Sequence, residues 1–285
     1  MNPHELQRMS VRMLFDWSLT TAVYDAGTDP ILGVAISSRA RAALTKPPRE
    51  RWRSDRYRQS RVVTGLLQSF VSASAWALAL APDRPLTEFF ADEIFHRAVH
   101  RRTSAVNAFG EWLRTHFATP PPIAALATLE GALDSVRRSR RPSTAAPGTT
   151  WCLHPGADVV ELPGGTSDLL HATLQRLEAH PISSAHAAVE RAWDRAGIHE
   201  TLDGTERLLI QRQAHGGADI SRLSDALYEL LAVIREGGRR AELLAVMEAH
   251  GASADDLEGL LQDLERDGLV VRAASVRDGA PSTRA

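Results

Sequence analysis

The chain has 285 residues, 33 basic and 35 acidic side chains, a net charge of -2 and a pI near 6.6, a balance that argues against a dedicated nucleic-acid binder. Its length exceeds one typical domain and falls short of three, and with 44% apolar residues it can build two packed cores. A lone Cys152 excludes an intramolecular disulfide and a cysteine-cluster zinc site.

Lys46 is the only lysine among the 33 basic residues, which reads chiefly as a compositional bias, although arginine also suits bidentate contacts to carboxylates and phosphates. The segment MNPHELQRMSVRMLFDWSL lacks the basic start, apolar core and cleavage site of a secretory signal, and no apolar run reaches roughly 18 residues. A soluble cytoplasmic protein, with no membrane partner, is expected.

In chain order, Leu6, Met9, Met13, Leu14, Trp17, Val23 and Tyr24 recur at helical spacing and predict a helix over 5–25, closed by the Gly and Pro of DAGTDP. A second helix is expected over ILGVAISSRARAAL. After TKPP, an arginine-rich stretch runs into the nearly continuous apolar helix of VVTGLLQSFVSASAWALALA, whose Ala and Ser content predicts a closely packed core element. Pro82 and Pro85 end it, and Thr87 is a candidate cap. LTEFFADEIFHRAVHRRTSAVNAFGEWLRTHF reads as two helices or one bent helix. Beyond ATPPP, a further helix places Ile123, Leu126, Leu129, Leu133 and Val136 on one face.

RPSTAAPGTT (141–150) is the clearest linker, and the main boundary is expected there. The division read from the sequence is a helical partner-docking domain over 1–145, connecting strand and helices over 146–204, a peptide-recognition domain over 205–273 and a disordered tail over 274–285. WCLHPGADVVELPGG carries the first strand signals, and helices are expected at TSDLLHATLQRLEAH and SSAHAAVERAWDRAG. Residues 205–272 then parse as strand ERLLIQRQ, turn AHGG, strand ADISRL, three helices and a terminal strand LVVRA. Ser224 and Ser253 are the expected caps, and Gly237, Gly251 and Gly268 the expected stops. The fold class is therefore α+β and mainly helical.

Few motifs carry chemistry. Glu93, His96 and His100 share one helix at metal-ligating spacing. A di-iron bundle needs a second Glu-x-x-His, and the chain offers only Asp168-x-x-His171; a zinc hydrolase would want glutamate where Arg97 stands. Solvated or interface histidines are the favoured reading, with a helical metal oxidase using Glu93, His96, His100 and His171 as the alternative. RERWRSDRYRQSR interleaves Arg51, Arg53, Arg56 and Arg58 with Trp52 and Tyr57, a pattern able to contact a protein partner or nucleic acid and equally natural on a solvated face. ELPGGTSDLL matches no phosphate-loop spacing and reads as a strand-to-helix turn. No nucleophile motif is present, so neither catalytic residues nor a cofactor is assigned to this chain.

A hairpin that precedes three helices and a terminal strand is the order of a winged helix-turn-helix whose wing comes first; a DNA reader normally places its wing after the recognition helix. With Leu223-Ser224, Gly237 and Gly268-Leu269 at the element junctions, residues 205–273 resemble the small peptide-chaperone domain of ribosomal peptide natural-product pathways, typified by the pyrroloquinoline quinone chaperone. The resemblance implies that a precursor peptide adds as a strand beside Asp219, Ile220, Ser221, Arg222 and Leu223 and rests on the helix Asp255–Arg266, with Glu258, Leu261 and Glu265 around the groove.

A helical half joined to such a domain is similar to the partner subunits of multinuclear non-haem iron oxidases. The implied role is a non-catalytic subunit of a hetero-oligomer that docks the peptide on the oxidase. The iron then sits in the oxidase, and Arg51, Trp52, Arg53, Arg56, Tyr57 and Arg58 form the candidate docking run. A DNA-binding regulator is disfavoured because SADDLEGLLQDLERDG, in the recognition position, has six acids and one arginine.

Overall fold

The computed structural model describes residues 3–15, 17–25, 36–53, 56–81, 86–119, 121–139, 150–178 and 202–273. The protein is α+β and mainly helical, with two small antiparallel sheets among the described residues. Contacts divide the chain into two compact units, Met1–Thr128 with Leu170–His199, and Leu129–Leu169 with Glu200–Ala285. The expected tail, the helix SSAHAAVERAWDRAG and the expected linker up to residue 149 lie outside the described residues, whereas Thr150, the linker's last residue, opens the first strand.

In the first unit, α1 (Pro3–Phe15), α2 (Trp17–Asp25), α3 (Ser38–Leu44) and α4 (Arg49–Arg53) close a cluster of Met9, Met13, Leu19, Val23 and Leu44. The single helix expected over 5–25 is two, with Thr20 Oγ1 donating to the Met13 carbonyl at 2.7 Å near the junction. Of the second expected helix only its end, α3, is described, and Ser37 caps it.

The expected apolar helix is broken into α5 (Arg56–Ser69) and α6 (Val71–Leu80), bent by 97° at Phe70. Neither Gly nor Pro makes that break. Phe70 leaves helical geometry (φ -133°, ψ 52°) with its ring buried edge-on to Phe109, so tertiary packing sets the bend. As expected from its Ala and Ser content, α6 is buried over Ser72–Ala77, and Trp76 Nε1 donates to Thr173 Oγ1 at 3.0 Å.

A 3-10 helix (Leu86–Ala91), α7 (Glu93–Arg101) and α8 (Ala105–His116) follow, with Asp92 and Ser104 as side-chain caps. Thr87 falls within the 3-10 turn, and the capping role passes to Asp92. Around Phe89, the rings of Phe90, Phe95, Phe109 and Trp112 have centroids 5.0–5.9 Å away in tilted or edge-on arrangements, the geometry aromatic quadrupoles favour. On α9 (Pro121–Arg138) the five apolar residues read as one face are all buried. Among the described residues, no single helix is long and apolar enough to cross a membrane.

The second unit contains β1 (Thr150–Leu153), β2 (Ala157–Pro163), the start of α10 (Thr166–Glu178), β3 (Thr205–Arg212) and β4 (Ala218–Arg222). It continues with α11 (Asp225–Arg235), β5 (Gly238–Arg239), α12 (Arg240–Ala249), α13 (Ala254–Arg266) and β6 (Val270–Ala273). The hairpin, three helices and terminal strand expected from 205 onward are all present. Ser224 and Ser253 cap α11 and α13, and Gly237, Gly251 and Gly268 follow the helices at positive φ.

One sheet has the order β2-β3-β4 and the other β5-β1-β6. β3 is buried on both faces: Leu209 stands opposite Val159 and joins Leu230, Leu231, Ile234, Leu243, Leu257 and Leu261 in the core, while Leu208 and Ile210 are buried on the reverse. That two-sided burial accounts for the unbroken Leu-Leu-Ile run. In the second sheet Trp151 pairs with Gly238 on one side and Arg272 on the other, and the Arg272 guanidinium lies 4.4 Å from the centroid of the Trp151 ring.

Candidate functional site

The two outer strands of the β2-β3-β4 sheet present their edges differently. In an antiparallel ladder, residues alternate between pointing both backbone groups at the neighbour and pointing both away. Arg212 N donates to Gly156 O at 2.7 Å, which fixes the parity of the β2–β3 pair and turns the backbone of Val159 outward. Both outward groups of Val159 are closed: its N–H donates to Asp158 Oδ1 at 2.9 Å, and its carbonyl receives Arg235 Nη1 at 2.8 Å.

On the other side, Leu223 N donates to Arg207 O at 2.8 Å and Gln213 N to Gly217 O at 2.9 Å. With the register Leu209↔Ser221 and Ile210↔Ile220, the backbone of Ser221 faces β3, and that of Ile220 and Arg222 faces outward. Neither of these outward pairs has a partner among the described residues. The three-residue loop between Gln213 and Gly217 sets this register, and hence the parity. Asp219 and Ser221 share the helix-facing side of the sheet with Leu209 and are exposed, whereas α11 packs on β2 and β3. Among the described residues, β4 is therefore an edge open along its backbone and uncovered on that face.

Beyond Arg222 the edge ends at a cavity of about 410 Å³ lined by Asp168, Glu206, Arg207, Arg222 and Asp225. Glu206, 8% exposed, accepts from Ser167 N at 2.6 Å and Ser167 Oγ at 2.8 Å, so a buried carboxylate closes the amino-terminal turn of α10. Arg222 pairs with Asp168 at 2.6 Å and stands 3.8 Å from Glu206, while Arg207 bridges Glu161 and Asp225. Glu206→Ala is expected to cost about 1–3 kcal/mol, because two donors lose a charged acceptor; Glu206→Gln recovers part of it in the same thermal melt.

Burial, opposed by the Val159 N–H and by Arg235, raises the Asp158 carboxyl above its ordinary range. A carboxyl raised in the folded state costs stability where it is ionised, and the cost disappears as pH falls through the folded value toward the unfolded one. Asp158→Asn, which keeps an acceptor for Val159 N–H, is therefore expected to be the more stable form near neutrality. Denaturation midpoints compared across pH should converge with wild type on acidification.

The residues singled out from the sequence fare unequally. Asp219, Ile220, Ser221, Arg222 and Leu223 form the open strand and its end. Glu258 and Glu265 lie on α13 but are engaged, with Arg240 at 3.4 Å and Arg272 at 3.5 Å. Leu261 is fully buried in the core and cannot line a groove; its spacing with Leu257 and Leu264 makes it a packing residue.

Trp52 is half-buried, packs on the α1–α2 cluster and donates its indole N–H to Tyr24 Oη at 3.0 Å, so it serves the fold before any partner. Arg51 is exposed; the side chains of Arg53, Arg56, Tyr57 and Arg58 lie outside the described residues. On α7, His96 is buried while Glu93 and His100 are exposed, and the exposed His171 pairs with Gln175 at 2.8 Å. No group of three or more potential metal ligands gathers among the described residues.

Sequence reading passed over Asp158, Arg235 and Glu206. The last had a signal: a carboxylate two residues before an apolar strand run needs a partner when that strand is buried. No known protein family and no curated protein matches the chain.

Proposed function

We propose that the chain is a non-catalytic, cytoplasmic accessory subunit. It captures a ribosomally made precursor peptide by strand addition to β4 and presents it to a multinuclear non-haem iron oxidase that holds the iron. The observation that carries this reading is the asymmetry of the sheet: Asp158 and Arg235 close the β2 edge at its central residue Val159, whereas the outward backbone groups of Ile220 and Arg222 on β4 have no partner among the described residues. A sheet with one outer strand capped at its centre and the other presenting consecutive outward backbone groups favours docking on the latter, with the exposed Asp219 and Arg222 setting the polarity of what adds there.

The order of hairpin, α11, α12, α13 and terminal strand supports a winged-helix reading of this unit with its hairpin in front. Exposed Asp255, Asp256, Asp263, Glu265 and Asp267 along or just after α13 favour a peptide over a DNA backbone, which the same helix would repel. The oxidase partner rests on the family resemblance of the whole chain.

Titration of the full chain against labelled peptides encoded beside its gene, read by fluorescence anisotropy, tests the capture step. One saturable binder that also competes with its unlabelled form is expected, and the absence of any binder sinks the proposal. Co-purification with an oxidase encoded nearby tests the second half separately.

A further inference from the structure

At the far end of the β2–β3 ladder from the Glu206 cavity, the second unit holds a separate cavity of about 790 Å³. Arg137 and Arg138 from the end of α9, His154 and Gly156 from the β1–β2 turn, and Arg212 from β3 line it, with Asp267 also on the wall. We infer that this cavity binds an oxyanion group, a phosphate or a carboxylate, held by Arg137, Arg212 and the Nε2–H of His154.

The arginines are not all consumed by closing the helix end. Ser139 N–H and Oγ both donate to the Val136 carbonyl, at 3.3 and 2.7 Å, and Arg212 Nη1 donates to the Ser139 carbonyl. Arg138 is engaged with Asp134 at 2.9 Å. With those carbonyls satisfied, the exposed guanidinium of Arg137 has no partner among the described residues and is left to a ligand.

His154 is oriented by its surroundings. Its Nδ1 accepts the Gly156 N–H at 2.9 Å, so the neutral ring carries its proton on Nε2 and that nitrogen is a donor. Gly156 is the residue that lets these groups approach. A Cβ there would stand 3.0 Å from His154 Nδ1 and 3.3 Å from Arg212 Cβ, and the Gly156 carbonyl already holds Arg212 N at 2.7 Å. Three donor side chains thus line one space, and a methyl group at residue 156 would crowd two of them, His154 and Arg212. Asp267 tempers the charge of the wall, which fits a compact oxyanion and disfavours a long polyanion.

Calorimetric titration of the full chain at low ionic strength, with inorganic pyrophosphate in one arm and an acetylated Glu-Glu dipeptide in the other, tests the site. One-to-one saturable binding of at least one probe is expected, weakened about tenfold by Arg137→Gln and partly restored by Arg137→Lys. Gly156→Ala should weaken it at least as much. Pyrophosphate alone identifies a phosphate source, the dipeptide alone a carboxylate source, and both a general oxyanion seat.

Arg137 is exposed, so its variants should melt with wild type and the loss reads as a loss of contact. No binding of either probe, or binding indifferent to Arg137→Gln, overturns the inference. It stands independently of the β4 edge, since Ile220→Pro should leave pyrophosphate binding unchanged.

Discussion

Ile220→Pro is expected to weaken peptide capture at least tenfold with the hairpin intact, while Ser221→Pro unfolds the hairpin. The two positions are neighbours, yet the ladder treats them oppositely. Ser221 is paired with Leu209 and gives β3 both its backbone groups. Proline there removes a ladder donor, strands the Leu209 carbonyl and drives its ring into β3, a loss of roughly 2–4 kcal/mol. Ile220 points its N–H away from β3, a position where edge strands accept proline.

What Ile220→Pro removes is the donor offered to an incoming strand, and the ring obstructs that strand's approach. Peptide affinity should fall at least tenfold, the cost of a lost hydrogen bond plus the obstruction. Ile220→Ala serves as the control for the half-buried side chain and should keep most of the affinity. Anisotropy titration and amide exchange of β3 separate the outcomes; capture that survives Ile220→Pro moves the docking edge elsewhere.

Gly110→Ala should destabilise the first unit by about 2–3 kcal/mol, against the roughly 1 kcal/mol gain that alanine normally brings to a helix interior. A Cβ at residue 110 would lie 2.5 Å from Phe70 Cζ and 2.9 Å from its Cε1. Phe70 cannot easily give way: its ring is 2% exposed, edge-on to Phe109 at 5.8 Å, and its backbone forms the bend between α5 and α6. Urea denaturation measures the loss. In the double variant with Phe70→Leu, the cost of adding the methyl should largely disappear, a coupling that follows from direct contact. A stabilised Gly110→Ala single variant would mean that Phe70 does not occupy this space.

The elements legible from the sequence were those defined by local chemistry. Ser224 and Ser253 cap their helices, glycines close them, and the apolar period of α9 mapped onto a buried face. Elements defined by distant partners were hidden. Phe70 breaks a helix because of a ring on α8, and two-residue β5 exists only because β1 lies beside it.

For the site, the strand Asp219–Leu223 was readable as a strand, but which of its N–H groups is free depends on a loop of three residues and cannot be seen in alternation of side chains alone. Leu261 was misplaced because a helix stripe does not announce which of its leucines is at the rim. The closure of the Val159 edge joins Asp158 to Arg235 across two elements, a pairing that single-sequence spacing does not encode.

The central place of β1 in its sheet sets a timetable for synthesis. Both of its neighbours, β5 and β6, come from much later in the chain, and the Arg272 that covers Trp151 lies in the last described strand. At translation rates of roughly 5–20 residues per second, Trp151 leaves the ribosome roughly 6–24 s before Arg272 does. Until Gly238–Arg239 is made β1 has two bare edges, and until β6 follows it keeps one bare edge and an indole without Arg272 over it, a combination that invites pairing with other nascent chains. Premature termination just short of β6 should therefore yield insoluble product even though the hairpin and all three following helices have been made.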